Sequence, residues 1–339
     1  MLAVRLEQYG RMPVVAEVPE PELQGDDDVL VRVEGAGVCR TDLHAFHGEL
    51  ADVFPTPLPF TLGHEVAGVV AEKGKAVRGI DIGTKVVLHP MMTCGVCRAC
   101  RRGEDQRCTD NSFMGLAVDG GMAPLVRTTA RALVPLQDSS DTQEVAPLAD
   151  AGITAYHALK RGVAGLGSES VAVIVGCGGL GHLGIQMLRA MSDCTIVAVD
   201  PKEEARDLAK SVGADYVAGD DVADVVAEAS KGEGAAAVFD FVGEGDAPAL
   251  SVSLLGTQGL YSAIGYGGTC SIPTIELVLK ELRVQGNMVG TYQDLAELIA
   301  LYERGLLQSH VVRYPLAEAE RAFADLEAGN VRGRAVLVP

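Results

Sequence analysis

The stretch VAVIVGCGGLGHLGIQMLRAM, residues 171–191, decides the fold. An apolar, Val-rich run (171–175) breaks at Gly176, Gly178 and Gly181, and a helical pattern follows. Gly176 allows a tight turn, Gly178 lets a pyrophosphate approach the backbone, and Gly181 lets the helix sit close to the sheet. Gly179 and Leu180 complete the loop, which offers amide N–H groups and a helix N-terminus to an anion. Three glycines alone are weak evidence. The next strand candidate, TIVAV (195–199), strengthens it, because it ends at Asp200. That carboxylate lies about 20 residues past the glycines, where an acidic group binds the adenosine ribose. It would repel a 2′-phosphate, so NAD is expected over NADP, although Lys202 softens the repulsion.

Further strand candidates lie at 215–217, 237–242, 259–265 and 282–287, with helical stretches at 180–191, 202–212 and 221–230. Such β–α alternation predicts an α/β unit over 151–286, a Rossmann-type doubly wound parallel sheet. Upstream, VLVRVEGAGV (29–38), EVAGVVAEKG (65–74) and KVVLHP (85–90) read as strands, and the prolines of 55–59 exclude a helix there. Residues 1–150 are therefore expected to form a β-rich, irregular barrel-like domain. The last segment, 287–339, carries two amphipathic helices (293–304 and 317–328) and then the strand RAVLVP. It is expected to return to the first domain, which makes that domain discontinuous.

A length of 339 residues agrees with two domains. Apolar residues at 48% and charged ones at 22% exclude a disordered chain. The balance of 46 acidic against 28 basic side chains, net -18, argues against nucleic-acid partners. No apolar run approaches the ~20 residues of a membrane span. No signal-peptide pattern follows Met1, so a cytoplasmic protein is expected. The eight lysines against twenty arginines fit either a salt-tolerant surface or a GC-rich genome.

Four of the eight cysteines, Cys94, Cys97, Cys100 and Cys108, fall in one lobe spanning 91–110. Thiols at this spacing suit a closed tetrahedral zinc site that holds a loop and leaves no position for chemistry. Arg98, Arg101, Arg102 and Arg107 are interleaved, and they are expected to offset the excess negative charge and lower the thiol pKa values.

Taken singly, Cys39 reads as a buried small residue, His64 as a turn histidine and Asp150 as a helix cap. The pieces GVCRTDLH (37–44), GHEVAGVV (63–70), the four-cysteine lobe, VGCGGLGHLG (175–184) with Asp200, and RGRAVLVP (332–339) together say more. In order and separation they resemble the zinc-dependent medium-chain alcohol dehydrogenases over essentially the whole length. LADAGITAYHAL (148–159) is most similar to the bacterial and archaeal branch of NAD-dependent secondary-alcohol dehydrogenases and carbonyl reductases.

The resemblance implies a GroES-like catalytic domain and two zinc ions per chain. Cys39, His64 and Asp150 would hold the catalytic ion; many relatives have a second cysteine where Asp150 stands. Glu65 would sit behind the ligands and trade places with water, and Asp42 would orient His64. Thr41 and His44 would relay the alcohol proton to solvent. Arg40 and Arg334, or Arg332 in its place, would contact the cofactor pyrophosphate. Phe46, Phe54, Leu116, Met288 and Val289 would line a largely apolar substrate pocket. His47, His89, His157, His182 and His310 are left with structural or surface roles. The implied activity is reversible oxidation of small or medium apolar alcohols, secondary ones first and benzylic or primary ones still open, to ketones or aldehydes with NAD, by a homodimer or homotetramer whose edge strand near 282–287 could pair across a two-fold axis. The alternatives are a polyol or sugar dehydrogenase on the same scaffold, and a non-catalytic zinc- and nucleotide-binding protein.

Overall fold

In the computed structural model, which describes residues 1–339, the chain forms two units, 1–153 with 291–339 and 154–290. The expected breaks at 150/151 and 286/287 fall three and four residues earlier than these. The helix Ala151–Gly162 carries the chain through the first break. Its AGITAYHALKRG sequence, with two glycines and β-branched residues, hides a helix from propensity alone.

Runs of Val, Ile and Ala too apolar for a solvated face build the second unit. All five residues of Val171–Val175 are buried, as strands covered on both faces require. Six strands pair in the order Tyr216–Ala218, Thr195–Val199, Val171–Val175, Ala235–Asp240, Leu255–Ala263, Arg283–Gly286. Every pairing is parallel. Strand order reverses between Val171–Val175 and Ala235–Asp240, the switch point of a doubly wound sheet. Val173, Val197, Val238 and Tyr261 belong to one core cluster. Besides Gly181–Met191, Glu203–Ser211 and Val222–Ala229, two short helices occur that the sequence pattern does not show. Ala247–Ser253 carries a proline in its first turn, and Thr274–Leu279 buries none of its residues. Neither is long enough to establish a period.

In the first unit the strands run Leu133–Pro135, Lys85–Leu88, Glu65–Lys73, Asp28–Val38, Arg334–Val338, Val311–Pro315, with Leu125–Thr129 also pairing Asp28–Val38. The C-terminal strand lies antiparallel beside Asp28–Val38, in the register Ala335↔Val38 and Val336↔Gly37. Glu65 pairs with Gly37 on the other side. A Cβ at Gly37 would fall 1.9 Å from Glu65 Oε2, so a glycine makes the room that this carboxylate occupies. The helices Tyr292–Glu303 and Ala319–Glu327 follow the expected pattern of the tail. No helix is long and apolar enough to cross a membrane.

Candidate metal and cofactor sites

Cys39 is the N-cap of the helix Arg40–His47. Its backbone N–H donates to Asp42 Oδ2 at 2.9 Å, and Thr41 N–H points at its Sγ at 3.5 Å. This cap fixes the thiol at the N-terminus of the helix. His64 and Asp150 reach the same point from the turn before Glu65–Lys73 and from the end of the short helix Ala146–Ala149. Asp150 Oδ2 lies 3.6 Å from Cys39 Sγ and 3.4 Å from His64 Nε2. All three side chains offer ligand atoms within 4.8 Å of one another.

Both ring nitrogens of His64 are buried without a hydrogen-bond partner, as is Asp42 Oδ1, which lies 3.4 Å from His64 Nδ1. Buried polar atoms are ordinarily paired. An imidazole, a thiol and a carboxylate so arranged fit three ligands of a zinc ion with a fourth position open, and Asp42 is placed to orient the ring. Burial alone would lower the His64 pKa, but Asp42 and Asp150 outweigh it and hold it well above the ordinary range. Burial would raise Asp150, yet His64 and Arg334 hold it below the usual carboxylate range.

Next to His64, Glu65 Oε1 accepts hydrogen bonds from Ala151 N–H (3.1 Å) and from the Arg334 guanidinium, while Oε2 has no partner. Burial pushes the Glu65 carboxyl up, against the pull of Arg334. Expected on a cofactor phosphate, Arg334 is 4% exposed and committed to Glu65. Arg40 and Arg332 are exposed. The Glu65–Arg334 pair joins residues 269 apart in the chain, a partnership no local spacing signals.

Thr41 and His44 lie three residues apart on one helix, as a relay along one face needs. His44 Nδ1 sits 2.5 Å from Glu49 Oε2, a solvent-facing partner that the sequence reading missed.

Of the expected pocket residues, Phe54 and Leu116 line one small apolar cavity with Tyr9, Leu50 and Phe60. Phe46 instead packs into the core, edge-on to Phe323 at 6.4 Å. Met288 is exposed and Val289 takes a left-handed φ of 44°, a conformation β-branched side chains resist. The sequence reading also missed Phe113, whose ring stands edge-on to His64 at 5.7 Å and 5.8 Å from Phe54.

The four lobe cysteines also offer sulfurs within 4.8 Å of one another. Backbone N–H groups of Cys94, Cys97, Cys100 and Asp110 point at the sulfurs at 3.4–3.5 Å. Amides of Cys100 and Thr109 bring the Cys97 thiol down to about 6, whereas burial pushes Cys100 up to about 12. The expected action of Arg98, Arg101, Arg102 and Arg107 on these thiols thus gives way to backbone amides. Arg107 turns to Glu104 at 3.8 Å. The guanidinium that interacts with Cys100 belongs to Arg131, which also pairs with the buried Asp105 at 2.6 Å.

In the second unit Gly176 has φ 87°, and a Cβ on Gly181 would lie 1.8 Å from the Gly176 carbonyl oxygen. Nothing lies within 4 Å of a Cβ position on Gly178, so the loop is open on that side. The helix Gly181–Met191 has no side-chain cap and no acid in its first turn, so its N-terminal end favours an anion. Asp200 accepts N–H bonds from Cys177 and Lys202, each at 2.9 Å. His182 does more than ride on the turn: it is buried, with Nδ1 2.8 Å from the Gly178 carbonyl. An uncapped helix behind a glycine turn, with Asp200 on the neighbouring strand, fits a dinucleotide.

Comparison with known families agrees. Residues 25–138 match the family model described as the alcohol dehydrogenase GroES-like domain, and 179–304 match the zinc-binding dehydrogenase model. The chain belongs to the zinc-dependent alcohol dehydrogenase family. This dehydrogenase is similar to an NAD-dependent alcohol dehydrogenase of Sulfurisphaera tokodaii, 33% identical with 100% of each chain covered. Among solved structures, the alcohol dehydrogenase of Aeropyrum pernix superposes with a TM-score of 0.97 at 41% identity, covering 100% of both chains. The D-arabinose dehydrogenase of Sulfolobus solfataricus gives 0.86 at 30%, covering 100% of this chain and 99% of that one.

Proposed function

We propose that this dehydrogenase reversibly oxidises small, apolar secondary alcohols to ketones, passing hydride to NAD, with Cys39, His64 and Asp150 as ligands of the catalytic zinc. The observation that carries the reading is the convergence of those three buried side chains, with a His64 Nε2 that no hydrogen bond satisfies. When bound, zinc supplies a Lewis acid that lowers a hydroxyl pKa from about 16 toward 7, and NAD takes up the hydride. One thiolate and one carboxylate balance the charge of Zn²⁺, and a carboxylate oxygen donates less charge than sulfur, which keeps the metal acidic.

The chain's own residues do the rest. Thr41 accepts the alcohol proton at its hydroxyl as it passes its own on, and His44, paired with Glu49, delivers a proton to solvent. The products are ketone, NADH and a proton. Arg40 and the glycine loop 176–181 hold the pyrophosphate, while Asp200 receives the adenosine ribose. Arg334 holds Glu65 in place beside the ligands, and Cys94, Cys97, Cys100 and Cys108 hold the second, structural zinc.

Phe113, edge-on to His64, and Phe54 beside it support an apolar substrate, because a polyol would bury hydroxyls without partners against these rings. Initial rates of NAD reduction with cyclohexanol and with sorbitol test this. A strong preference for cyclohexanol is expected. A preference for sorbitol would contradict the substrate class and move the assignment to polyols.

A homodimer or homotetramer is part of the reading. Ile275, Val278, Leu279 and Val284 are 53–73% exposed on the helix Thr274–Leu279 and the edge strand Arg283–Gly286. Bare apolar surface beside an unpaired edge favours a second copy. A cytoplasmic location accords with eight cysteines in no disulfide.

A further inference from the structure

Asp240 ends the strand Ala235–Asp240 with a fully buried side chain. Its Oδ1 accepts N–H bonds from Val242 and Gly243, both at 2.9 Å, and its Oδ2 accepts the Tyr261 hydroxyl at 3.0 Å. Its backbone carbonyl accepts from Ile264 and Gly265, again at 2.9 Å. One residue therefore ties together the loops 241–245 and 264–268. These leave neighbouring parallel strands at their carboxyl ends, the end from which the Gly176 turn also leaves.

The loops meet closely. A Cβ on Gly243 would lie 2.1 Å from the carbonyl carbon of Gly265, and one on Gly176 would lie 2.7 Å from the Val242 side chain. Val242 thus stands against the glycine turn at the reversal of strand order, where a doubly wound sheet receives its dinucleotide. Asp200 lies on the adenosine half, so the strands Ala235–Asp240 and Leu255–Ala263 belong to the other mononucleotide half. Burying a carboxylate is costly unless its oxygens are satisfied. Here two adjacent amides and a phenol need an acceptor with two oxygens. An apolar side chain would strand all three donors at about 1–3 kcal/mol each.

We propose that Asp240, supported by Tyr261, is a positioning residue for the cofactor: it holds the loops 241–245 and 264–268 in the shape that receives the nicotinamide half of NAD. This rests on the dehydrogenase reading above. Asp240 does not touch the reacting atoms, and it acts through the amides it fixes.

The test combines amide hydrogen exchange of the cofactor-free protein with NADH binding by fluorescence, for wild type, Asp240→Ala and Asp240→Asn. In Asp240→Ala, exchange at 241–245 and 264–268 is expected to accelerate and the NADH Kd to rise about tenfold or more. At saturating NAD, kcat should stay within about threefold, since the defect lies in binding. Asp240→Asn retains an acceptor oxygen for both amides and should restore both readouts most of the way. Unchanged exchange and Kd in folded Asp240→Ala would overturn the proposal, as would an Asn variant no better than Ala. If the alanine variant does not fold, Tyr261→Phe decides: a Kd rise of about 2–5-fold is expected, and an unchanged Kd contradicts it. Wild-type protein that binds no NADH would instead contradict the dehydrogenase reading and the cofactor role of Asp240 with it, and the exchange of the cofactor-free loops would then decide only whether Asp240 holds them.

Discussion

Arg334 and Glu65 form a buried ion pair beside the Cys39, His64 and Asp150 cluster, and its loss has a calculable cost. Removing one partner of such a pair leaves the other charge buried and uncompensated, at about 3–5 kcal/mol. Arg334→Met is expected to lower the urea-unfolding free energy by that amount; a loss under about 1 kcal/mol would mean that Glu65 finds another partner or is neutral. The convergence of Cys39, His64 and Asp150 was legible in the sequence, because they stand in short stretches whose order resembles one family. The Glu65–Arg334 pairing was not, since it depends on the register that sets Glu65 and Val336 on either side of Gly37. Phe113 was missed for a similar reason: its role comes from standing against His64, and nothing in its sequence neighbourhood marks it.

The strand Asp28–Val38 supplies the route to Cys39, and its first residue is a titratable anchor. Burial would raise the Asp28 pKa, but N–H bonds from Gln24 and Gly25 (both 2.8 Å) and the Arg127 guanidinium (3.2 Å) hold it below its ordinary value. A depressed folded pKa stabilises the fold above the unfolded value and loses that contribution as pH falls through the folded one. Asp28→Asn should therefore cost about 1–3 kcal/mol at pH 7, with the difference from wild type shrinking below about pH 4 in denaturant titrations. A gap independent of pH would assign the effect to packing. At this scale the long, strongly patterned elements were readable, the strands by their Val-rich runs and Gly181–Met191 by its period. Ala247–Ser253 and Thr274–Leu279 were not, because one to two turns display no period and the second buries nothing.

For the whole molecule, the discontinuous first unit follows from the tail strand Arg334–Val338 joining Asp28–Val38. The rhythm of the sequence announced that return, though not which strand the tail would join. The exposed residues of Thr274–Leu279 and Arg283–Gly286 predict self-association through the second unit. Sedimentation velocity should show a dimer or tetramer, and Val278→Asp with Leu279→Asp should shift it toward monomer; a wild-type monomer would contradict this. The central claim is that Cys39, His64 and Asp150 hold a catalytic zinc apart from the four-cysteine lobe. The most direct test measures zinc content, NADH binding and alcohol turnover together in wild type and Cys39→Ser. Two zinc ions per chain are predicted for wild type, from the two ligand groups. The variant should lose one of them and its turnover while still binding NADH. A Cys39→Ser protein that keeps both its full zinc content and its turnover would contradict the claim.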